Sequence, residues 1–116
     1  MARRPEKHLW DASAAAERIA RFTSGKSLQD YLCDEMLRSA VERQFEIVGE
    51  ALSQFRRAAP EREAEIPELA RIVGFRNLLA HDYDDVKDEI VWGLVQGKLA
   101  ELRATLAKLL AEQGKP

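Results

Sequence analysis

The sequence predicts an all-α protein, an up-and-down bundle of four to five helices forming a single domain over residues 1–116. Three observations carry that expectation. Apolar residues recur at steps of three and four along extended stretches, the period of a helix with one buried face. Sustained apolar–polar alternation is absent and β-branched residues are few, which removes the strand signals. The breakers Gly25, Pro60 and Pro67 fall where the periodicity lapses. A chain of 116 residues has room for one domain with a core of its own.

The first helix is expected from about Pro5 to Phe22, with Leu9, Ala12, Ala16 and Ile19 on its buried face and Phe22 at its end. Pro5 suits an early helical position and Gly25 the break after the C-terminus. Ser27, with Asp30 three residues on, has the form of a capping box that starts the next helix. That second helix carries Leu37, Val41, Phe45, Val48, Leu52 and Phe55, and it stops before Pro60 because the residue preceding a proline is driven out of the helical region. Continuous from Leu28 to Arg57 it would be about 45 Å long. That is long for so small a domain, so either it breaks near Cys33 or one end projects toward a partner. Pro67 is expected to open a third helix through Leu69, Ile72, Val73, Leu78 and Leu79, ending near Ala80 or His81. The last helix should run from near Val86 to about Glu112 on Ile90, Val91, Leu94, Leu99, Leu102, Leu106 and Leu109. Gly93 and Gly97 leave a bare strip on it, expected to admit the close approach of a neighbouring helix.

Composition narrows the function. No apolar run approaches the roughly 18 residues needed to span a bilayer, and the opening MARRPEKHLW lacks an apolar signal core. The chain is therefore read as cytoplasmic, with no membrane partner. The single Cys33 cannot form an internal disulfide, and without an accompanying base it reads as a buried or bystander thiol. A net charge of −2 excludes a protein that coats nucleic acid by bulk electrostatics, and DNA is not an expected partner. It leaves room for a local basic patch, since Arg56, Arg57, Arg62, Arg71 and Arg76 share one stretch while acids dominate from Asp82 to Glu89.

There is no Gly-rich phosphate loop, no nucleophile elbow and no Cys/His set at metal spacing, so neither a cofactor nor a metal is expected. Of the two histidines, His8 lies near a terminus expected to fray and reads as a bystander. The segment Gly74-Phe75-Arg76-Asn77-Leu78-Leu79-Ala80-His81-Asp82-Tyr83 is different. It gathers an arginine, an amide, an imidazole, a carboxylate and a phenol where a helix should end. The helix dipole and Asp82 both favour a protonated His81. On an ideal helix His81 is rotated about 140° from Arg76, so the two share a face only if the helix unwinds at Ala80, or if a twofold dimer brings both copies into one cleft. Such groups suit RNA phosphodiester cleavage without a metal. The imidazole takes the proton of the 2′-hydroxyl or gives one to the leaving 5′-oxygen, and the arginine fork holds the phosphate and its developing charge. Asn77 can orient the imidazole or bind a phosphate oxygen. Glu50, on the second helix, can pair with Arg76 and hold it, and a solvated helix charge is an equal alternative.

Arg76-x4-His81-x-Tyr83 resembles the Arg-x4-His-x-Tyr signature of HepT-type proteins of the HEPN superfamily. Further blocks resemble that family in the same order: Leu9-Trp10-Asp11, Phe22-Thr23-Ser24-Gly25-Lys26, Ala40-Val41-Glu42-Arg43, Ile47-Val48-Gly49-Glu50-Ala51 and Val91-Trp92. The resemblance implies a HEPN bundle that pairs into a homodimer with both motifs in a shared cleft. It implies a metal-independent ribonuclease toxin with Arg76 and His81 as catalytic residues. Its partner would be an MNT-type nucleotidyltransferase antitoxin, similar to MntA, that transfers AMP to Tyr83. The alternative is a non-catalytic HEPN module that binds a nucleotide or a nucleotidyltransferase.

Overall fold

The structure is a computed structural model, and it describes residues 4–80 and 84–113. Those residues form helices and no strand. α1 spans Pro5–Thr23, α2 Leu28–Cys33, α3 Glu35–Ala58, a 3-10 turn Pro60–Glu65, α4 Leu69–Ala80, α5 Asp84–Gly97 and α6 Leu99–Gln113. The expected all-α bundle is therefore present, with its four principal stretches more finely divided than the periodicity suggests.

The long second helix breaks near Cys33, one of the two expected outcomes. Asp34 leaves the helical region (φ −123°, ψ 98°) and its carboxylate accepts the Leu37 N–H at 3.0 Å, so one residue both ends α2 and caps α3. The break also leaves Cys33 exposed at the end of α2, so of its two readings it is not the buried thiol. Ser27 and Asp30 form the anticipated capping box, with backbone-to-side-chain bonds of 2.9 and 3.1 Å. Gly25 adopts φ +74° in the turn after α1, a left-handed conformation that costs other residues about 1–2 kcal/mol.

Two other boundaries differ from expectation. α4 opens at Leu69 rather than Pro67, because Glu68 turns through φ +62° first and its carbonyl then accepts from Arg71 and Ile72. The C-terminal stretch starts at Asp84, ahead of Val86, and is two helices that meet at Lys98. Periodicity alone hides that joint, since the Lys98 N–H still reaches the Leu94 carbonyl at 2.9 Å and that of Leu102 the Lys98 carbonyl at 3.1 Å.

α1 and α3 form the centre of the core. Leu9, Ala12, Ala16 and Ile19 pack on Val41, Phe45, Val48, Leu52 and Phe55, all buried as their spacing requires. α6 closes the other side of α1 with Leu106 and Leu109, while α4 docks chiefly on α3. Ile90, expected in the core, is 40% exposed, and its neighbour Trp92 is buried instead. Among the described residues a Cβ at Gly93 or Gly97 would meet nothing within 4 Å, so the strip is not the close-approach site the sequence suggests.

Arg103 of α6 clasps Glu17 of α1 with two hydrogen bonds of 2.8 and 2.9 Å. Those bonds hold the Glu17 carboxyl below its usual range. Stability from this pair is present above the ordinary carboxylate range and is lost as acid protonates Glu17. Glu17→Gln should therefore lower stability by less than about 1 kcal/mol at neutral pH, the scale of an exposed pair. The difference from wild type should shrink progressively as pH falls below the free glutamate value toward the lowered one of the folded state. Urea titrations at neutral pH and across the acid range measure it.

Tyr31 is fully buried between α2 and α5, its ring 5.2 Å from that of Trp92. Its hydroxyl has no hydrogen-bond partner among the described residues. Burial pushes its phenol far above the usual value, and the nearby Glu42 and Asp88 carboxylates push in the same direction. An unpaired buried hydroxyl costs about 1–3 kcal/mol. Tyr31→Phe should consequently raise the melting temperature by a few degrees, with thermal melts of both proteins as the check.

Candidate functional site

Arg76 lies on the third turn of α4, facing α3. Its position follows from a single residue across the interface. An ideal Cβ on the buried Gly49 would sit 2.8 Å from the Arg76 Cβ, 3.4 Å from its Cγ and 3.5 Å from its Cδ. No real side chain fits there, so Gly49 is what allows α4 to lie this close to α3. The close approach seats the aliphatic stem of Arg76 against the α3 backbone and delivers its guanidinium to the next residue, Glu50.

Arg76 Nη1 donates to Glu50 Oε1, and the other carboxylate oxygen accepts from Gln54 Nε2 at 3.0 Å. Glu50 is paired with Arg76 while its side chain stays 53% exposed. The guanidinium is thus fixed from behind by a carboxylate that is itself fixed one helical turn further on. Its side chain remains 31% exposed, so N–H groups are available to an anion arriving from solvent. A planar fork held in one orientation suits bidentate binding of a phosphate. Asn77 follows on α4, about 100° round the helix, and is exposed. His81, Asp82 and Tyr83 lie outside the described residues, so the expected juxtaposition of Arg76 with His81 and Tyr83 rests on the sequence.

The basic stretch does not form an open patch. Arg56 meets Glu63 at 3.9 Å, Arg62 meets Glu65 at 2.8 Å and Arg71 meets Glu68 at 3.4 Å. Arg62 also lies over the Phe55 ring, 5.3 Å from its centroid. Among these arginines Arg57 alone has no acidic partner among the described residues.

Sequence reasoning missed two features of this region. Gly49 was legible only as part of a block, although a glycine inside a strongly amphipathic helix is a signal of close packing. His8 is buried, not frayed, and it borders an open groove between α1 and α3 that also includes Glu50. No set of three or more His, Cys, Asp or Glu side chains among the described residues could hold a metal ion. No helix among them is long and apolar enough to cross a membrane.

The fold and the site together define a helical-bundle protein with a paired arginine on the third turn of α4, the residue that opens the Arg-x4-His motif of the sequence. Residues 12–109 match the family described as ribonuclease HepT-like, and the chain belongs to that family. It is 33% identical over 111 residues to a protein of Thermococcus cleftensis named "Probable ribonuclease HepT", covering 94% of this chain and 98% of that one. It is 27% identical over 109 residues to "Putative RNase TTE0752" of Caldanaerobacter subterraneus subsp. tengcongensis, covering 94% and 96%. No solved structure matches it significantly.

Proposed function

We propose that this chain, a single domain, is a metal-independent endoribonuclease acting as the toxin of a two-component system. The observation that carries the reading is the seating of Arg76. A family match over nearly the whole chain coincides with an arginine whose fork is set by Gly49, Glu50 and Gln54 at the start of the Arg76-x4-His81-x-Tyr83 segment.

In this mechanism RNA lies with its scissile phosphate on the Arg76 fork. His81 removes the 2′-hydroxyl proton, and the 2′-oxygen attacks phosphorus as the bond to the 5′-oxygen breaks. Pairing of two copies about a twofold axis places the partner's His81 to protonate the departing oxygen, so each proton has a source and a destination. The products are a 2′,3′-cyclic phosphate and a 5′-hydroxyl. Arg76 balances the charge that gathers on the phosphoryl oxygens, and Asn77 orients the imidazole or the phosphate.

Neutralisation is read from the same motif, whose last member is Tyr83. A cytoplasmic MNT-type nucleotidyltransferase partner transfers AMP from ATP to the Tyr83 hydroxyl, with pyrophosphate leaving. The new phosphate brings negative charge and a base to the place RNA would occupy.

Incubating purified protein with total RNA in EDTA, beside His81→Ala prepared identically, tests the reading. Fragments bearing cyclic phosphate from the wild type alone are the expected outcome. Equal fragments from both proteins would remove His81 from the chemistry. No fragments from either, with Tyr83 unmodified by mass spectrometry, would leave a non-catalytic binding module.

A further inference from the structure

The groove between α1 and α3, of about 700 Å3, is used by nothing in the mechanism except Glu50 at its edge. On α3 its wall is the row Arg43, Ile47, Glu50, Gln54 and Arg57, stepping by three and four along one face for about 21 Å. On α1 its wall includes Trp10, Ala14 and Arg18.

Trp10 is the first anomaly. It is 62% exposed, whereas the only other tryptophan, Trp92, is 7% exposed. A large flat ring exposed beside a groove offers a face on which a base can stack.

The charges are the second. Every acid bordering the groove already has a cation: Asp11 has Lys7 at 2.7 Å, Glu46 has Arg43 at 3.3 Å and Glu50 has Arg76. Two cations remain uncompensated. Arg18 hydrogen-bonds only the neutral Gln44 amide oxygen, at 3.2 Å, and Arg57 has no partner among the described residues. This surplus of positive charge sits on a chain whose net charge is −2. Between the charged side chains the lining is Ala14, Ile47, Ala51 and Ala58, mostly alanine. That lining suits a solvated polyanion better than the dry apolar core of a protein interface.

We propose that the α1–α3 groove binds single-stranded RNA beside the cleavage site, with a base stacked on Trp10 and phosphates on Arg18 and Arg57. The strand then passes Glu50 and reaches Arg76. Stacking requires an unpaired base, so single strands are preferred over duplexes. The inference rests on the ribonuclease reading for its choice of polyanion, but its test is independent of the chemistry.

The test uses a fluorescein-labelled 2′-O-methyl oligouridine decamer, which lacks the attacking hydroxyl and reports binding alone. The full chain is titrated as wild type, Trp10→Ala, Trp10→Phe and Arg57→Ala over a range of salt. Trp10→Ala should weaken binding about tenfold or more, while Trp10→Phe retains most of it. Arg57→Ala should lower the slope of log affinity against log salt by about 0.7, one phosphate contact. Unchanged affinity in Trp10→Ala, or an unchanged slope in Arg57→Ala, would overturn the proposal. So would variants that bind the decamer normally but shift the monomer–dimer equilibrium by sedimentation, since the groove would then be a protein interface. Cleavage of total RNA that persists in such variants removes the groove alone. Trp10-dependent binding without any cleavage removes the nuclease alone.

Discussion

Replacing Gly49 with alanine should damage both the fold and the activity, although the substitution adds one methyl group to a helix. In an exposed helix, glycine to alanine gains about 1 kcal/mol. Here the new Cβ would lie 2.8 Å from the Arg76 Cβ, an atom rigidly attached to the α4 backbone rather than the free end of a side chain. Relief requires α4 to move. Overpacking of this kind costs about 1–3 kcal/mol, which outweighs the helical gain. A displacement of about 1 Å in a positioned catalytic group can cost about a hundredfold in rate. The expected result is a lower urea midpoint together with a fall in RNA cleavage of tenfold to about a hundredfold. Gly93→Ala is the matched control. Its Cβ meets nothing within 4 Å, so it should be neutral or stabilising by up to about 1 kcal/mol. Wild-type stability and cleavage in Gly49→Ala would refute the account of how Arg76 is placed.

The second large effect is that of Arg76 itself. Arg76→Ala should lower cleavage by about a hundredfold or more, the scale of losing one preorganised charge donor. Stability should change by about 1 kcal/mol, because a partly exposed ion pair with Glu50 and the packing of the Arg76 stem on α3 are lost. Arg76→Lys keeps the charge and discards the fork, and should recover less than about a tenth of the activity. Single-turnover cleavage beside a urea titration separates the two quantities. A lysine variant with full activity would mean that Arg76 contributes only a point charge.

Much of the bundle was legible because its signal is periodic. The α1 and α3 core residues lie on faces that no other conformation would bury together, and Ser27, Gly25 and Pro60 mark ends by local chemistry that needs no tertiary contact. What escaped depends on neighbours far away in sequence. The joint at Lys98 preserves helical hydrogen bonding across it, so the apolar spacing barely registers it. The exposure of Ile90 and the burial of Trp92 depend on which face of α5 meets Tyr31. The two glycine questions had opposite answers for the same reason. Gly93 and Gly97 form the more conspicuous pattern, but only the partner helix determines whether a missing side chain is used, and the partner chose Gly49. At the site, Arg76, Asn77 and Glu50 were all singled out from the sequence, and the pairing of Arg76 with Glu50 is present. His81 and Tyr83 lie outside the described residues and stand on the motif alone.

The manner in which α4 is attached has a consequence for how this protein would fail under stress. The helix that carries Arg76 leans chiefly on α3, while α1 is clasped by both α3 and α6. Segments with fewer packed sides open at free energies below that of global unfolding. Amide exchange along α4 should therefore outpace that of α1 and α3 in native conditions, and mild denaturant should extinguish cleavage before the bulk helical signal is lost. Such an order of events would give the cell a protein whose activity lapses while the remainder stays folded.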